Sequence, residues 1–334
     1  MVRITFQSRD FECAPGQSVL DCLNAGGMAI PWGCGAGACQ TCLMRAVSGD
    51  VDPRAQAGLK ATQAAQGYFL ACQWQPTRDI EVGFGEPPAA PVPARVLEVE
   101  SLSPDIRRLR LKPVAPFDYR AGQFLRLHRA GASRCYSLAS VPALNEPLEL
   151  HVRHVPGGEI SGWVHERLAP GDEVAISSAT GESFYLAGKP QQGLCLIGTG
   201  SGLAPLYGIA RDALHQGHTG PIWLFHGSVE VSGLYLREQL TQLALRYATF
   251  HYVPCVSGPT ADPGAAAAGL AQGLVHEVAL QRLPQFDGWS VHLCGNPAMV
   301  NAARRATFLA GASMRDIHSD PFLPSAPHGA GQPA

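Results

Sequence analysis

Charge is scarce in this chain: Lys, Arg, Asp and Glu make up 16% of its 334 residues and nearly cancel, leaving a formal net charge of −2 at pH 7. A nucleic-acid-binding surface needs clustered Lys and Arg, and an acidic tail needs the opposite excess, so neither is the basis of function. Long apolar runs are missing too, with nothing approaching the ~18 residues of a membrane span. The opening MVRITFQSRD has neither an apolar signal-peptide core nor a small-residue cleavage pattern, so the expectation is a cytoplasmic protein. There is no internal repeat. Cysteine, by contrast, is plentiful, with ten residues, and without an export signal these read as free thiols or metal ligands before they read as disulfides.

The length suits two or three domains. Val2 to Phe6 alternates in the manner of a half-buried strand, and Ser18 with Asp21 opens a short amphipathic helix, VLDCLNAG, giving an α+β start over 1–85. EPPAAPVP, 86–93, is Pro- and Ala-rich without periodicity and reads as a linker. RVLEVESL, IRRLRLK, GQFLRLH and LELHVRHV are alternating strands between Pro and Gly, which predicts an antiparallel β-barrel or sandwich over 94–187. From 188 to 325 the style changes. Buried apolar strands (GLCLIG, PIWLFHG, TFHYVPC, WSVHLCG) alternate with helical stretches, predicting an α/β domain with an open parallel sheet. The tail, 326–334, reads as disordered.

Cys34, Cys39 and Cys42 give C-x4-C-x2-C, with a fourth cysteine at Cys72, the plant-type [2Fe-2S] ligand spacing. The surrounding glycines let backbone N–H groups fold around a cluster that bulky side chains would block. A structural zinc site is the alternative, but zinc usually takes two short paired knuckles rather than three ligands on one loop and a distant fourth. Cys13, Cys22, Cys135, Cys195 and Cys255 lie on apolar patterns and read as core. Residues 1–85 thus resemble a plant-type ferredoxin of the β-grasp fold, departing at Gln40, where that family often has glycine.

RCYS, 134–137, is by itself only a strand end, but it follows GQFLRLH and precedes VPGGEIS. Arg134 can hold a phosphate, Tyr136 can lie against a flat ring and the Ser137 hydroxyl can donate to a ring nitrogen. Gly157 and Gly158 permit close backbone approach before Ser161, expected to cap a helix whose N-terminus is an anion site. LCLIGTGSGLAP, 194–205, is a buried strand, a glycine turn (Gly198, Thr199, Gly200, Ser201, Gly202) and a helix, a geometry that presents amides to a pyrophosphate. Its G-x-G-x-G spacing departs from the usual dinucleotide fingerprint, so a generic turn is the alternative. In HGSVEVS, Glu230 can accept from a ribose 2′-OH and repels a 2′-phosphate, favouring NADH over NADPH unless it is merely solvated.

The succession of these motifs resembles the ferredoxin-NADP+ reductase superfamily, in the order ferredoxin, FAD, NAD, and within it the reductase components of bacterial ring-hydroxylating dioxygenases of the naphthalene type and of multicomponent monooxygenases. The resemblance implies that Arg134 and Ser161 hold the FAD pyrophosphate, Tyr136 packs on the flavin and Ser137 reaches N5. It also implies that Cys294, Gly295, Asn296 and Pro297 meet the nicotinamide, with Cys294 near C4 or packed in the core, and that Phe322 of IHSDPF shields the flavin, with Asp320 where glutamate is commoner. The implied reaction takes electrons from NADH through FAD to the cluster and on to an oxygenase component or separate ferredoxin, in a monomer that needs no membrane. Trp32 and Met44 are candidate docking contacts. A reductase for a deoxysugar-forming dehydratase and a redox-sensing module stay open as alternatives.

Overall fold

Among the described residues the strands assemble into three sheets in the computed structural model, which describes residues 1–85, 90–259 and 269–323. The expected tail, 326–334, and half of the expected linker, 86–89, lie outside these residues. The chain divides into two compact units, Met1–Ala89 and Ala90–Ala334.

In the first unit β1 (Val2–Phe6) and β2 (Arg9–Cys13) form a hairpin through Gln7 and Ser8, both at positive φ. Two positive-φ residues match the right-handed twist of the strands they join. The Ser18 hydroxyl accepts the Asp21 N–H at 3.1 Å and opens α1 (Val19–Ala25), as the sequence predicts. After the cysteine loop come β3 (Leu43–Ser48), α2 (Ala61–Ala65), β4 (Tyr68–Leu70) and β5 (Ile80–Gly83). The sheet order is β2-β1-β5-β3-β4 with β1 and β5 parallel at its centre, the β-grasp arrangement. Val19, Leu20 and Leu23 of α1 pack into one core with Phe6, Phe69 and Trp74, each large apolar side chain contributing ~1.5–3 kcal/mol by burial. Met44 is fully buried in this core, which removes it as a docking contact, whereas Trp32 is 60% exposed.

The second unit begins with β6 (Val92–Ser103), β7 (Ile106–Pro113), β8 (Phe124–Arg129), β9 (Ala132–Ser137), β10 (Leu148–Arg153), α3 (Glu159–Glu166) and β11 (Glu173–Ile176). They form an antiparallel sheet in the order β10-β7-β6-β11-β8-β9. Its two edges meet where Leu138 bridges Leu150 and the Ala139 N–H donates to the Glu149 carbonyl at 2.8 Å, closing the barrel. Closure removes free edges that would otherwise pair with other chains.

The remainder is β12 (Leu194–Thr199), α4 (Leu203–His215), β13 (Ile222–Ser228), α5 (Arg237–Arg246), β14 (Phe250–Val256), β15 (Ala271–Gln272), α6 (Val275–Arg282), β16 (Ser290–Gly295), α7 (Pro297–Leu309) and β17 (Ile317–Pro321). All six strands are parallel, in the order β15-β14-β13-β12-β16-β17. One apolar cluster packs α4 and α5 on the sheet and another packs α6 and α7, so both faces are covered. The chain leaves β12 in one direction and resumes on its other side at β16. That switch point, outside the carboxyl ends of the strands, is where open α/β sheets bind ligands.

Candidate active site

Cys34, Cys39 and Cys42 occupy the loop between α1 and β3, and Cys72 follows β4. The Cys34 N–H donates to Cys39 Sγ, while the Cys39 and Ala36 N–H groups donate to Cys34 Sγ, each at 3.4 Å. Gly35 and Gly37, at φ +64° and +79°, turn the backbone so that these amides face inward. The Thr41 hydroxyl, then its N–H, hold the Cys39 thiol down at about 6, whereas burial pushes Cys42 up. Cys42 and Cys72 interact through their side chains. The four sulfurs thus fall into two pairs, Cys34 with Cys39 and Cys42 with Cys72. Two pairs within a nest of amides suit a dinuclear iron-sulfur cluster better than one tetrahedral zinc. Gln40 holds φ +57°, a conformation glycine adopts freely, and its Nε2 donates to the Gly58 carbonyl at 3.0 Å.

A cleft of about 1840 Å³ opens within the second unit, between the barrel and the carboxyl ends of the parallel strands. A site for one small ligand rarely exceeds about 1,000 Å³, so this space suits two dinucleotides. Arg134, Tyr136, Ser137, Gly157, Gly158 and Ser161 line its barrel side; Thr199, Gly200, Ser201, Glu230, Gly295, Asn296, Pro297 and Phe322 line the rest. Gly198, Gly202 and Cys294 are not among the lining residues. Cys294 is fully buried, and a Cβ on Gly202 would overlap its carbonyl oxygen, so these residues form the packed seam between α4 and β16 beneath the cleft. Gly295, at φ +115°, lies against Thr199, where a Cβ would come within 2.5 Å of the Thr199 carbonyl oxygen.

At the barrel side of the cleft the structure corrects a further expectation. Ser161 does not cap α3: Gly158 is the N-cap, and the Ser161 hydroxyl instead accepts the Val155 N–H at 3.2 Å, bracing the glycine turn from inside the first helical turn. The Asn296 side chain is likewise engaged. It caps α7 by accepting from the Ala298 and Met299 N–H groups, while the Asn296 backbone N–H donates to Thr199 Oγ1 at 3.0 Å. Phe322 is placed by a 2.8 Å hydrogen bond from its N–H to the Gly295 carbonyl. Glu230 is exposed at the cleft margin, with Ser232 Oγ donating to its carboxylate at 3.3 Å.

Sequence reasoning missed two cationic groups in this cleft, Arg126 and Arg153. Arg153 ends β10, bonds Asp105 at 2.8 Å and lies 3.7 Å from where a Gly200 Cβ would be. With Arg134 they supply positive charge for pyrophosphates, and the glycine turns supply close backbone approach, so the cleft fits phosphate-linked dinucleotides. The signal for Arg153 was its position at the end of a strand leading into a glycine pair. Asp320 is largely buried, which raises its carboxyl above the usual range, while a hydrogen bond with Ser137 partly offsets that rise. Burial also pushes the Tyr136 phenol up.

Comparison with known proteins agrees with this architecture. Residues 2–77 match the 2Fe-2S iron-sulfur cluster binding domain, 93–185 the oxidoreductase FAD-binding domain and 196–305 the oxidoreductase NAD-binding domain. The chain is 36% identical to the aromatic O-demethylase reductase subunit of an Amycolatopsis species, over 96% of this chain and 98% of that one. It is 34% identical to the ferredoxin–NAD(P)(+) reductase component of the naphthalene 1,2-dioxygenase system of Pseudomonas putida, over 92% and 94% of the two chains. Among solved structures, the Amycolatopsis cytochrome P450 reductase GcoB superposes with a TM-score of 0.67 at 35% identity, covering 97% of this chain and 99% of that one. The chain therefore belongs to the three-domain reductases of the ferredoxin-NADP+ reductase superfamily, which pass electrons from NAD(P)H through FAD to a [2Fe-2S] cluster and on to an oxygenase or ferredoxin partner.

Proposed function

We propose that this reductase is specific for NADH and serves an oxygenase component acting on an aromatic compound. The nucleotide preference rests on Glu230, an exposed carboxylate where β13 leads into the cleft. It would accept from an adenosine ribose 2′-OH and repel a 2′-phosphate. The aromatic reading is supported by the names of the relatives, an aromatic O-demethylase and a naphthalene dioxygenase system. The six cysteines outside the proposed cluster set, none of them in a disulfide, support a reducing, cytoplasmic setting.

The proposed roles follow from position. Cys34, Cys39, Cys42 and Cys72 hold the cluster. Arg134 and the amides after Gly157 and Gly158 take the FAD pyrophosphate, Ser161 bracing that turn. Tyr136 and Phe322 cover the flavin faces, and Ser137 stands by N5. The turn from Gly198 to Gly202 presents amides to the NADH pyrophosphate, and Gly295 to Pro297 form the nicotinamide floor, with Cys294 packed under it. Bound there, the groups supply hydride transfer and its division into single electrons. The residues bind, orient and exclude water; hydride transfer calls for no general acid or base from the chain.

The test is an anaerobic titration with NADH and, separately, NADPH, followed by absorbance and low-temperature EPR. NADH should bleach the flavin and raise a rhombic reduced-cluster signal, and NADPH should do so only at far higher concentration. Equal potency of the two would refute the role of Glu230. Bleaching without the EPR signal would refute the cluster assignment.

A further inference from the structure

A buried row of polar and aromatic side chains crosses from the barrel to the parallel sheet. Glu149 and His151 lie on β10, 4% and 3% exposed. His151 Nε2 is 3.0 Å from Glu149 Oε1, and its Nδ1 is 3.1 Å from the Tyr235 hydroxyl. A carboxylate only accepts, so Nε2–H donates to Glu149, and in the neutral ring Nδ1 accepts the Tyr235 O–H. The Tyr235 ring, 3% exposed, meets His151 and His226 nearly perpendicularly, with centroids 5.3 and 5.5 Å apart. His226 on β13 is fully buried, and its Nδ1 pairs with the Tyr252 hydroxyl of β14 at 3.3 Å.

Burying a carboxylate is costly unless it is well paired. Burial alone would raise the Glu149 carboxyl, but the hydrogen bond from His151, the charge of that ring when protonated, and the charges of Arg108 and Arg110 outweigh it and hold Glu149 below the usual carboxylate range. The carboxylate is thus ionised and directional. Cohesion between barrel and sheet does not require it, because Ile106 of the barrel already packs among Leu203, Leu206 and Leu240. What apolar contact does not supply is register, since packed side chains slide more readily than a paired hydrogen-bond network. The two ends of the row are informative. β10 runs into the Gly157–Gly158 turn, β13 runs into Ser228 and Glu230, and His151 itself borders the cleft.

We propose that the Glu149–His151–Tyr235 bridge is a positioning element that fixes the barrel's flavin cradle against the sheet's nicotinamide cradle, and so sets the alignment for hydride transfer. The inference rests on the assignment of the two cradles given above. A displacement of about 1 Å between reacting atoms can cost on the order of 100-fold in rate, so a loosened bridge has a large expected effect.

The experiment compares wild type, Tyr235→Phe, His151→Leu and His151→Gln as full-length, cofactor-loaded proteins. In Tyr235→Phe and His151→Leu the limiting rate of flavin reduction by NADH in anaerobic stopped flow should fall about tenfold or more. FAD content, cluster EPR and NADH affinity should stay at wild-type values, and the deuterium isotope effect with NADH labelled at the transferred position should rise. The charge-transfer absorbance between nicotinamide and flavin should weaken, and amides of β13 should exchange faster even without nucleotide. His151→Gln, whose amide can donate to Glu149 and accept from Tyr235, should recover most of the rate. An unchanged rate and isotope effect in Tyr235→Phe would overturn the proposal, even with a lower melting temperature, and so would loss of FAD as the sole defect. Failure of NADH to reduce the wild-type flavin would instead sink the functional reading beneath it.

Discussion

Gln40 holds a left-handed backbone conformation that costs a non-glycine residue ~1 kcal/mol, and its side chain recovers a similar amount through the bond to the Gly58 carbonyl. Gln40→Ala keeps the strain and loses the bond, so the first unit should be destabilised by about 1 kcal/mol, seen as faster cluster loss on warming. Gln40→Gly loses both and should be near neutral; if the two variants behave alike, the bond contributes nothing. The cysteines proposed as cluster ligands stand out because their spacing is itself the signal, whereas at Gln40 only a departure from glycine could be read, since φ depends on how the loop closes. His226 gives a second test. Burial, then the neighbouring His151, lower it from 6.5 to about 3. As pH falls through 6.5 the unfolded chain takes up a proton that the folded chain refuses. The stability due to this residue is therefore complete above pH 6.5 and declines between 6.5 and 3, by up to about 1.4 kcal/mol per pH unit. Urea unfolding at pH 7.5 and 5.5 should show a smaller difference in His226→Gln than in wild type.

The N-terminal turn of α4 and the end of β16 approach so closely that neither tolerates a side chain between them. Gly202→Ala would drive its methyl group into the Cys294 carbonyl and to 2.8 Å from Gly295 Cα. Overpacking of this kind costs ~1–3 kcal/mol. The expected outcome is NADH affinity weakened about tenfold at unchanged FAD content, measured by titration of the oxidised protein with a non-reducing nucleotide analogue; normal affinity would refute the seam as the cleft's support. Strands and helices of this sheet were readable from apolar runs separated by helical periods. β10 departs from simple alternation in a revealing way. LELHVRHV alternates like a half-exposed strand, yet residues 148–152 are all buried, because the second face of the barrel is covered by the nucleotide-binding half. Alternation reports one covered face, and a polar residue on the other face can be held by partners that lie far away in sequence.

The first compact unit has one sheet and one apolar core, the second has two sheets with apolar cores of their own, and among the described residues no strand pairing joins the units. Residues 90–334 expressed alone should therefore retain FAD and reduce ferricyanide with NADH, while cytochrome c reduction, which passes through the cluster, should fall at least tenfold. Loss of ferricyanide activity together with cytochrome c activity would contradict that division. Domain order was legible from changes in strand style, but the barrel's first strand starts at Val92, inside the stretch assigned to the linker, because Pro93 is tolerated in the strand pair with β11. The ten thiols are distributed unevenly. Cys13, Cys22, Cys195, Cys255 and Cys294 are buried, Cys34, Cys39, Cys42 and Cys72 belong to the proposed cluster, and Cys135, expected in the core, is instead exposed on the wall of the cleft proposed for the flavin. An alkylating dye should label Cys135 in flavin-depleted protein and spare it in loaded protein, giving a simple gauge of how much of any preparation carries its cofactor.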